Sequence, residues 1–161
     1  MTSIRLALAA ALGIATAAFG ASVRAAEPTP NFTVVVTFSK ETLAKLTGMK
    51  EQVTVSAMYS GMPTKEAEKK KIPDEIGEVG LGNEDQTRPL SGPKETFAFA
   101  GKGFQAARTK WVQPGSASLL INVYSARKVA DDNLLDCGIF QDTLTVANAK
   151  PIEIACKLIG E

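Results

Sequence analysis

The feature that most constrains the fold of this chain is an alternation of apolar and polar residues with a period of two. It is cleanest over residues 151–159, PIEIACKLI, where the apolar positions are Ile152, Ile154, Cys156 and Leu158. Successive side chains of a β-strand point to opposite faces, so this pattern predicts a strand with one buried and one solvent-facing side. An α-helix would instead require apolar residues at a spacing near 3.6.

Other short segments of the same kind recur along the chain. Predicted strands cover residues 31–38, 52–59, 76–81, 95–101, 118–126, 142–147 and 151–159. Turn-forming clusters separate them, among them SGMP, GLGNED, PLSGP, QPGSAS and ADDN. About seven short strands predict an all-β fold, an immunoglobulin-like or transthyretin-like β-sandwich. A small closed barrel is the competing architecture.

Two segments interrupt the predicted strands. SKETLAKLTG, residues 39–48, predicts a short helix because Ser39 can cap its start and Gly48 can end it. MPTKEAEKKKIP, residues 62–73, is interpreted as either a short exposed helix or a solvated loop. The basic run inside it, residues 65–71, contains two glutamates and is interpreted as a solvated face.

The first residues indicate export. Arg5 precedes an apolar run from Leu6 to Phe19, and small residues follow, which is the pattern of a secretory signal peptide. At about 14 residues, the run is shorter than the ~20 that a membrane-spanning helix needs. We expect cleavage after Ala25, so that residues 1–25 form the signal peptide and residues 26–161 form a single β-sandwich domain. The expected location of the mature protein is periplasmic or secreted.

Charge and hydropathy narrow the range of partners. The full chain has 18 basic and 17 acidic residues, and loss of Arg5 and Arg24 with the signal peptide leaves 16 against 17. A nearly neutral chain argues against nucleic acid as a partner, because nucleic acid requires a concentrated positive field. No second apolar run in the sequence approaches membrane-spanning length, so we expect no membrane span in the mature chain.

Cys137 and Cys156 are the two cysteines of the sequence, and two cysteines in one exported domain usually pair. If the segment around Cys137 is extended, Leu135, Cys137 and Ile139 share a face, and Cys156 lies on the apolar face of its own strand. We therefore predict a structural disulfide rather than a redox pair or a nucleophile. The sequence contains no histidine, which removes Ser-His-Asp and Cys-His catalysis and histidine-ligated metal sites.

Three carboxylates precede or adjoin Cys137. Asp131, Asp132 and Asp136 supply oxygen ligands that suit a hard cation such as Ca²⁺, but they lack the ligand order of a calcium loop. We interpret them as part of a polar turn, with a cation site as the alternative. No metal and no cofactor is therefore predicted.

Aromatic and sulfur-containing residues supply the candidates for a contact surface. Trp111 lies just before the turn QPGS and is the candidate recognition anchor. Tyr59, with Met58 and Met62, is a second candidate for an apolar contact patch. Core packing is the alternative role for these residues.

The leading functional hypothesis is an exported, non-enzymatic β-sandwich of the bacterial cell envelope that binds an unidentified partner or ligand. It rests on the signal peptide, the near-neutral charge, the predicted disulfide and the lack of a recognisable catalytic spacing in the sequence. One alternative is a carboxylate-dependent hydrolase of envelope polymers, which requires two facing carboxylates in a concave site. The other is a structural subunit that assembles through its edge strands.

Overall fold

A computed structural model describes residues 27–161, and the predicted signal peptide lies outside the described residues. In this part of the chain, eight strands form two four-stranded sheets. The strands are β1 (Phe32–Phe38), β2 (Gln52–Ser60), β3 (Gly82–Pro89), β4 (Lys94–Phe99), β5 (Ser118–Ser125), β6 (Leu135–Cys137), β7 (Phe140–Thr143) and β8 (Ile152–Leu158). The helices are α1 (Lys40–Met49), α2 (Lys65–Lys69) and α3 (Leu144–Ala149), and a 3-10 helix spans Ala106–Trp111.

The strands follow a fixed order in each sheet. The first sheet has the order β4-β1-β8-β6, and the second has the order β3-β2-β5-β7. Every pairing between these strands is antiparallel except that of β1 with β8, which is parallel. The predicted all-β sandwich is confirmed at this level, and its assignment as immunoglobulin-like or transthyretin-like stays a prediction.

The alternation in the sequence places one face of each central strand in a core that both sheets share. Fully buried valines, leucines and isoleucines come from both sheets: Val34, Val36, Val53, Val55, Leu119 and Ile121. The rings of Phe32 and Phe99 stack across β1 and β4 with their centroids 5.2 Å apart. Burying one side chain of this size contributes about 1.5–3 kcal/mol, so the inner faces supply most of the driving force for folding.

Strand β3 departs furthest from the sequence-based expectation. The pattern predicts a turn at GLGNED and a strand over residues 76–81, but Gly82–Pro89 forms β3, and residues 76–81 lie outside the strands. β3 is an edge strand without apolar alternation, and it is held by backbone pairing with β2 along its whole length. Val79 also exchanges two backbone hydrogen bonds with Gly61, at 3.0 and 3.1 Å, and thereby continues the contact between these two chain segments.

The predicted strand over residues 142–147 is wrong for most of its length. β7 ends at Thr143, and Leu144–Ala149 forms helix α3. Thr143 Oγ1 accepts a hydrogen bond from the backbone N–H of Val146 at 3.4 Å, so a residue that favours strands acts here as a helix cap. Leu144 and Ala147, three residues apart, form the buried side of this helix.

The two predicted interruptions of the strands are both helical. Ser39 Oγ accepts from the backbone N–H of Thr42 at 3.0 Å and begins α1, as the sequence predicts. The helix ends at Met49, one residue beyond Gly48, because Lys50 takes the left-handed conformation with φ 60°. Of the two interpretations of residues 62–73, the helix is correct, since Thr64 caps α2. No helix within residues 27–161 combines the length and the apolar character needed to cross a membrane.

The predicted disulfide between Cys137 and Cys156 is present. The two residues lie directly opposite each other in the pairing of β6 with β8, with their Cα atoms 4.1 Å apart. The sequence pattern predicts that Ile139 shares a face with Leu135. In the structure it does not, and Ile139 is 70% exposed. The reason is that the chain leaves the first sheet after Cys137 and crosses at Gly138 to the second sheet, where it continues as β7.

Candidate functional site

The solvent-side face of the second sheet mixes polar and apolar side chains. The pairing of β2 with β5 sets Ser56 opposite Asn122 and Met58 opposite Leu120. Ala57, between Ser56 and Met58 on β2, points into the core. Because side chains alternate along a strand, Met58 lies on the solvent-side face, where it is 40% exposed. An apolar side chain on this face contributes little to folding, and its position therefore needs another explanation.

The loop between α2 and β3 lies beside this face. Asp74 shapes its turn, because Asp74 Oδ1 accepts backbone N–H bonds from Ile76 at 3.1 Å and from Glu78 at 3.0 Å. The two backbone bonds between Val79 and Gly61 fix the base of the loop next to the end of β2. Ile76, near the tip, is 80% exposed and lines the same cavity as Met58.

The sheet face and the loop form an open cavity of about 490 Å³, which we name the outer groove. Its apolar lining comes from the side chains of Met58, Ile76 and Leu120. Its polar lining comes from Ser56, Ser60, Asn83, Ser118 and Gln141. The volume falls within the range of about 300–1,000 Å³ that is usual for small-molecule sites.

The charge of the outer groove has one sign. Asp74 and Glu78 line it, and no basic side chain of the described residues does so. The hydroxyl and amide groups provide hydrogen-bond donors and acceptors, whereas the three apolar side chains provide contact area. This combination suits a ligand with an apolar body and a positively charged group.

The predicted recognition anchor, Trp111, lies elsewhere. It ends the 3-10 helix, and its partly buried ring packs against the core. The ammonium groups of Lys70 and Lys110 lie 4.8 and 5.0 Å from the ring centroid, in cation–π contact. The backbone carbonyl of Trp111 accepts from Thr64 N–H at 2.8 Å and so ties the start of α2 to this segment. Trp111 does not line the outer groove.

The predicted patch of Met58, Tyr59 and Met62 does not form one surface. The side chain of Tyr59 lies in the core, 2% exposed, with its ring edge-on to Phe104 at 5.4 Å between centroids. Burial, and then the negative charge of Glu84, raise the pKa of the Tyr59 phenol well above its ordinary value. Met58 and the nearly buried Tyr59 both line the outer groove, whereas Met62, which is 51% exposed, does not.

The candidate cation ligands are also separated. Asp136 lies on β6 opposite Lys157, with 3.7 Å between its Oδ2 and the lysine Nζ. Asp131 and Asp132 are exposed in the connection between β5 and β6. Among residues 27–161, no group of three or more histidine, cysteine, aspartate or glutamate side chains is arranged to hold a metal ion.

Several residues of the outer groove were not predicted from the sequence. Leu120 lies in the run of residues 119–121, in which apolar residues occupy both faces of the strand and give no alternation. Asp74, Ile76 and Glu78 lie in a loop whose position relative to β2 is not a local property of the sequence. One signal was available: in QVTVSAMY, Met58 falls on the face that otherwise carries threonine and serine. An apolar residue on the polar side of a predicted strand marks a candidate contact site.

Comparisons with protein-family models, with curated proteins and with solved structures found no match to this chain. The function is therefore argued from the geometry of the outer groove itself.

Proposed function

We propose that this protein is an exported, non-enzymatic β-sandwich of the bacterial cell envelope that binds a ligand in the outer groove. The observation that carries the proposal is the convergence of Met58, Ile76 and Leu120 on one cavity of a polar sheet face. Single exposed apolar residues are ordinary on protein surfaces. Several that converge on one cavity with polar groups around them are typical of a binding site.

The lining argues for a particular ligand chemistry. An apolar body would cover Met58 and Ile76 and remove their side chains from water, which contributes about 25 cal/mol per Å² of buried apolar surface. A positive group about 4 Å from Asp74 or Glu78 would gain about 1 kcal/mol at the dielectric constant of water and more where water is excluded. The expected ligand is therefore a small cationic amphiphile.

Two features support export to the envelope. Residues 1–25 carry the pattern of a secretory signal peptide. Cys137 and Cys156 form a disulfide, and disulfides persist in oxidising compartments. A periplasmic or secreted location accounts for both.

The test uses three probes that share one alkyl chain and differ in the head group. Decyltrimethylammonium, decyl sulfate and decyl maltoside, each below its micellar concentration, are titrated calorimetrically into the exported protein. Met58→Gln removes the apolar lining at one position. Met62→Gln is the matched control, because Met62 is an exposed methionine outside the outer groove.

The proposal predicts saturable binding of the cationic probe and much weaker binding of the anionic one. Met58→Gln should weaken the affinity by about tenfold, since one well-covered apolar side chain is worth that factor or more. Met62→Gln should leave the affinity unchanged. Equal binding of all three head groups, or equal losses in the two variants, would contradict the assignment.

The hydrolase alternative keeps one specific observation in its favour. Asp74 and Glu78 line the same groove, and a glycosidase-type mechanism requires two carboxylates in a concave site. Asp74 Oδ1, however, already accepts two backbone N–H bonds within its own turn. The alternative predicts release of reducing ends from envelope polysaccharide by the exported protein and loss of that activity in Glu78→Gln. Absence of turnover by the unaltered protein removes it.

Assembly through edge strands is restricted by side chains on one side of the sandwich. Gln86 Nε2 donates to the carbonyl of Ala98 at 2.7 Å, and Arg88 Nη2 donates to the carbonyl of Thr96 at 2.6 Å. Both carbonyls belong to the free edge of β4, so side chains of β3 cover that edge. A self-assembling subunit would have to use the opposite side, where β6 and β7 lie.

A further inference from the structure

Strand β8 is only partly covered on the side that faces β6. β8 spans Ile152–Leu158, and β6 pairs with it only from Cys156 to Leu158. The chain then turns away at Gly138, whose backbone N–H donates to the carbonyl of Ala155 at 3.1 Å. Among residues 27–161, no strand therefore neighbours the first half of β8 on this side, although β1 pairs with it on the other.

The direction of the backbone groups follows from the alternation within β8. Cys156 bonds towards β1, because its carbonyl accepts from Ser39 N–H at 3.1 Å. Ile159 bonds in the opposite direction, because its N–H donates to Leu134 O at 3.0 Å. Residues separated by an even number of positions in a strand point their N–H and C=O groups to the same side. Glu153 is six residues from Ile159 and three from Cys156, so its N–H and C=O groups point away from β1, towards the uncovered side.

A cavity of about 530 Å³ lies beside this uncovered backbone, and we name it the edge slot. Its lining residues are Phe140, Val146, Lys150, Pro151, Ile152 and Glu153. Val146 is 40% exposed, and Ile152 faces the core at the border of the slot. The slot thus combines strand backbone that pairs with no other strand in the described part of the chain with apolar side chains between the two sheets and one charge of each sign.

We propose that the edge slot binds an extended segment of a partner polypeptide, which adds to the first sheet as a strand antiparallel to β8 and in line with β6. The backbone of Glu153 offers one donor and one acceptor on the same side, and a second strand satisfies both at once. Every second side chain of the added strand would enter the slot against Val146 and Ile152. The occupant is therefore a segment with apolar residues at alternate positions, which is a different ligand and a different site from those of the outer groove.

The described edges of a second copy do not fit this description. β3 reads GNEDQTRP and offers no alternating apolar residues, and the edge of β4 is covered by Gln86 and Arg88. β7, the other edge of the second sheet, is four residues long and carries Gln141 and Asp142. β6, the other edge of the first sheet, is three residues long and carries Asp136 at its centre. Antiparallel pairing of two copies of β8 about Glu153 would set the two Glu153 side chains directly opposite each other, where like charges repel. The partner segment is for this reason assigned to another polypeptide.

The probe is a capped peptide, acetyl-KVTVTVE-amide, whose valines can enter the slot while its threonines face solvent. A second peptide carries N-methyl groups on both threonines, so that whichever threonine lies opposite Glu153 has no N–H to donate, and it keeps every side chain. Binding to the exported protein is measured by NMR titration, and protection of the Glu153 amide is measured by hydrogen exchange. Val146→Asp places a charge in the slot, and Thr145→Asp places the same charge on the same helix outside the slot.

The proposal predicts that the first peptide slows exchange of the Glu153 amide by about tenfold or more, the factor given by one backbone bond of ordinary strength. N-methylation and Val146→Asp should each weaken binding by about the same factor. Thr145→Asp and Met58→Gln should have no effect.

The assignment is overturned if the first peptide does not protect Glu153, if the N-methylated peptide binds equally well, if the two aspartate variants behave alike, or if Met58→Gln weakens binding. It is also overturned if Glu153 becomes protected on raising the protein concentration alone, because a second copy would then be the occupant.

Discussion

The side-chain carboxylate of Glu51 accepts a hydrogen bond from the backbone N–H of Ala130, 79 residues further along the chain, at 2.9 Å. Three further backbone N–H groups donate to the same carboxylate at 2.8–3.0 Å, those of Gln52, Lys128 and Val129. Glu51 is 1% exposed and receives these bonds at a turn where Arg127 has φ 55°. A single buried carboxylate therefore holds the connection between β5 and β6 against the start of β2.

This carboxylate should make the stability of the protein sensitive to acid. Burial on its own would raise the pKa of Glu51, but the backbone N–H donors, with Ala130 and Val129 the strongest, outweigh it and lower the pKa from 4.5 to about 2. A folded pKa below the unfolded one stabilises the fold above pH 4.5, and this stabilisation is lost as the pH falls towards 2. The shift corresponds to a free energy of unfolding on the order of 3 kcal/mol.

Urea unfolding at several pH values checks this prediction. Glu51→Gln should lower the free energy of unfolding at pH 7 and should flatten its decline between pH 4.5 and 2. Glu75→Gln, which changes an exposed carboxylate, is the control and should leave the curve unchanged. A Glu51→Gln curve parallel to that of the unaltered protein would show that Glu51 does not carry this acid sensitivity.

The disulfide should act as one unit. Cys137→Ala and Cys156→Ala should each reduce the free energy of unfolding by about 3 kcal/mol, the value expected for a loop of about 20 residues. Because either change breaks the same bond, the double variant should cost little more than one. Clearly additive losses, or thiols that react with Ellman's reagent in the native protein, would contradict this.

Arg88 should protect the edge of β4. Its guanidinium carbon lies 3.9 Å from the centroid of the Phe97 ring, and its Nη2 lies 3.2 Å from Glu95 Oε2. Arg88→Lys keeps the charge but loses the planar contact, so it should cost about 1–2 kcal/mol of unfolding free energy. Arg88→Ala should in addition uncover the edge carbonyl of Thr96 and increase self-association, as measured by light scattering. A soluble, monomeric Arg88→Ala protein would argue against this role of Arg88.

Parts of the fold could be predicted because their signals are local. The alternation in β1 and β8, the Ser39 cap of α1 and the pairing of two cysteines in a chain with a signal-peptide pattern each depend on residues close together or on composition. β3 could not be found in this way. Its strand conformation comes from backbone pairing with β2, which is independent of the polarity of its side chains.

The residues of the outer groove also divide into those with a local signal in the sequence and those placed by tertiary contacts. Met58 was visible as an apolar residue on a polar strand face. Its relation to Ile76 depends on a loop that is folded by Asp74 and fixed by the bonds between Val79 and Gly61. Contacts of this kind are set by tertiary structure, and a pattern of period two carries no information about them.

The most direct test of binding in the outer groove uses the methionines as reporters. The predicted mature protein, residues 26–161, is labelled with ¹³C at the methionine methyl groups, titrated with decyltrimethylammonium and followed by NMR. Each of Met49, Met58 and Met62 carries one labelled methyl group, and of these three only Met58 lines the outer groove. Binding in the outer groove predicts a saturable shift of the Met58 methyl signal while those of Met49 and Met62 stay in place. A Met58 signal that does not move, or that moves together with the other two, would contradict it.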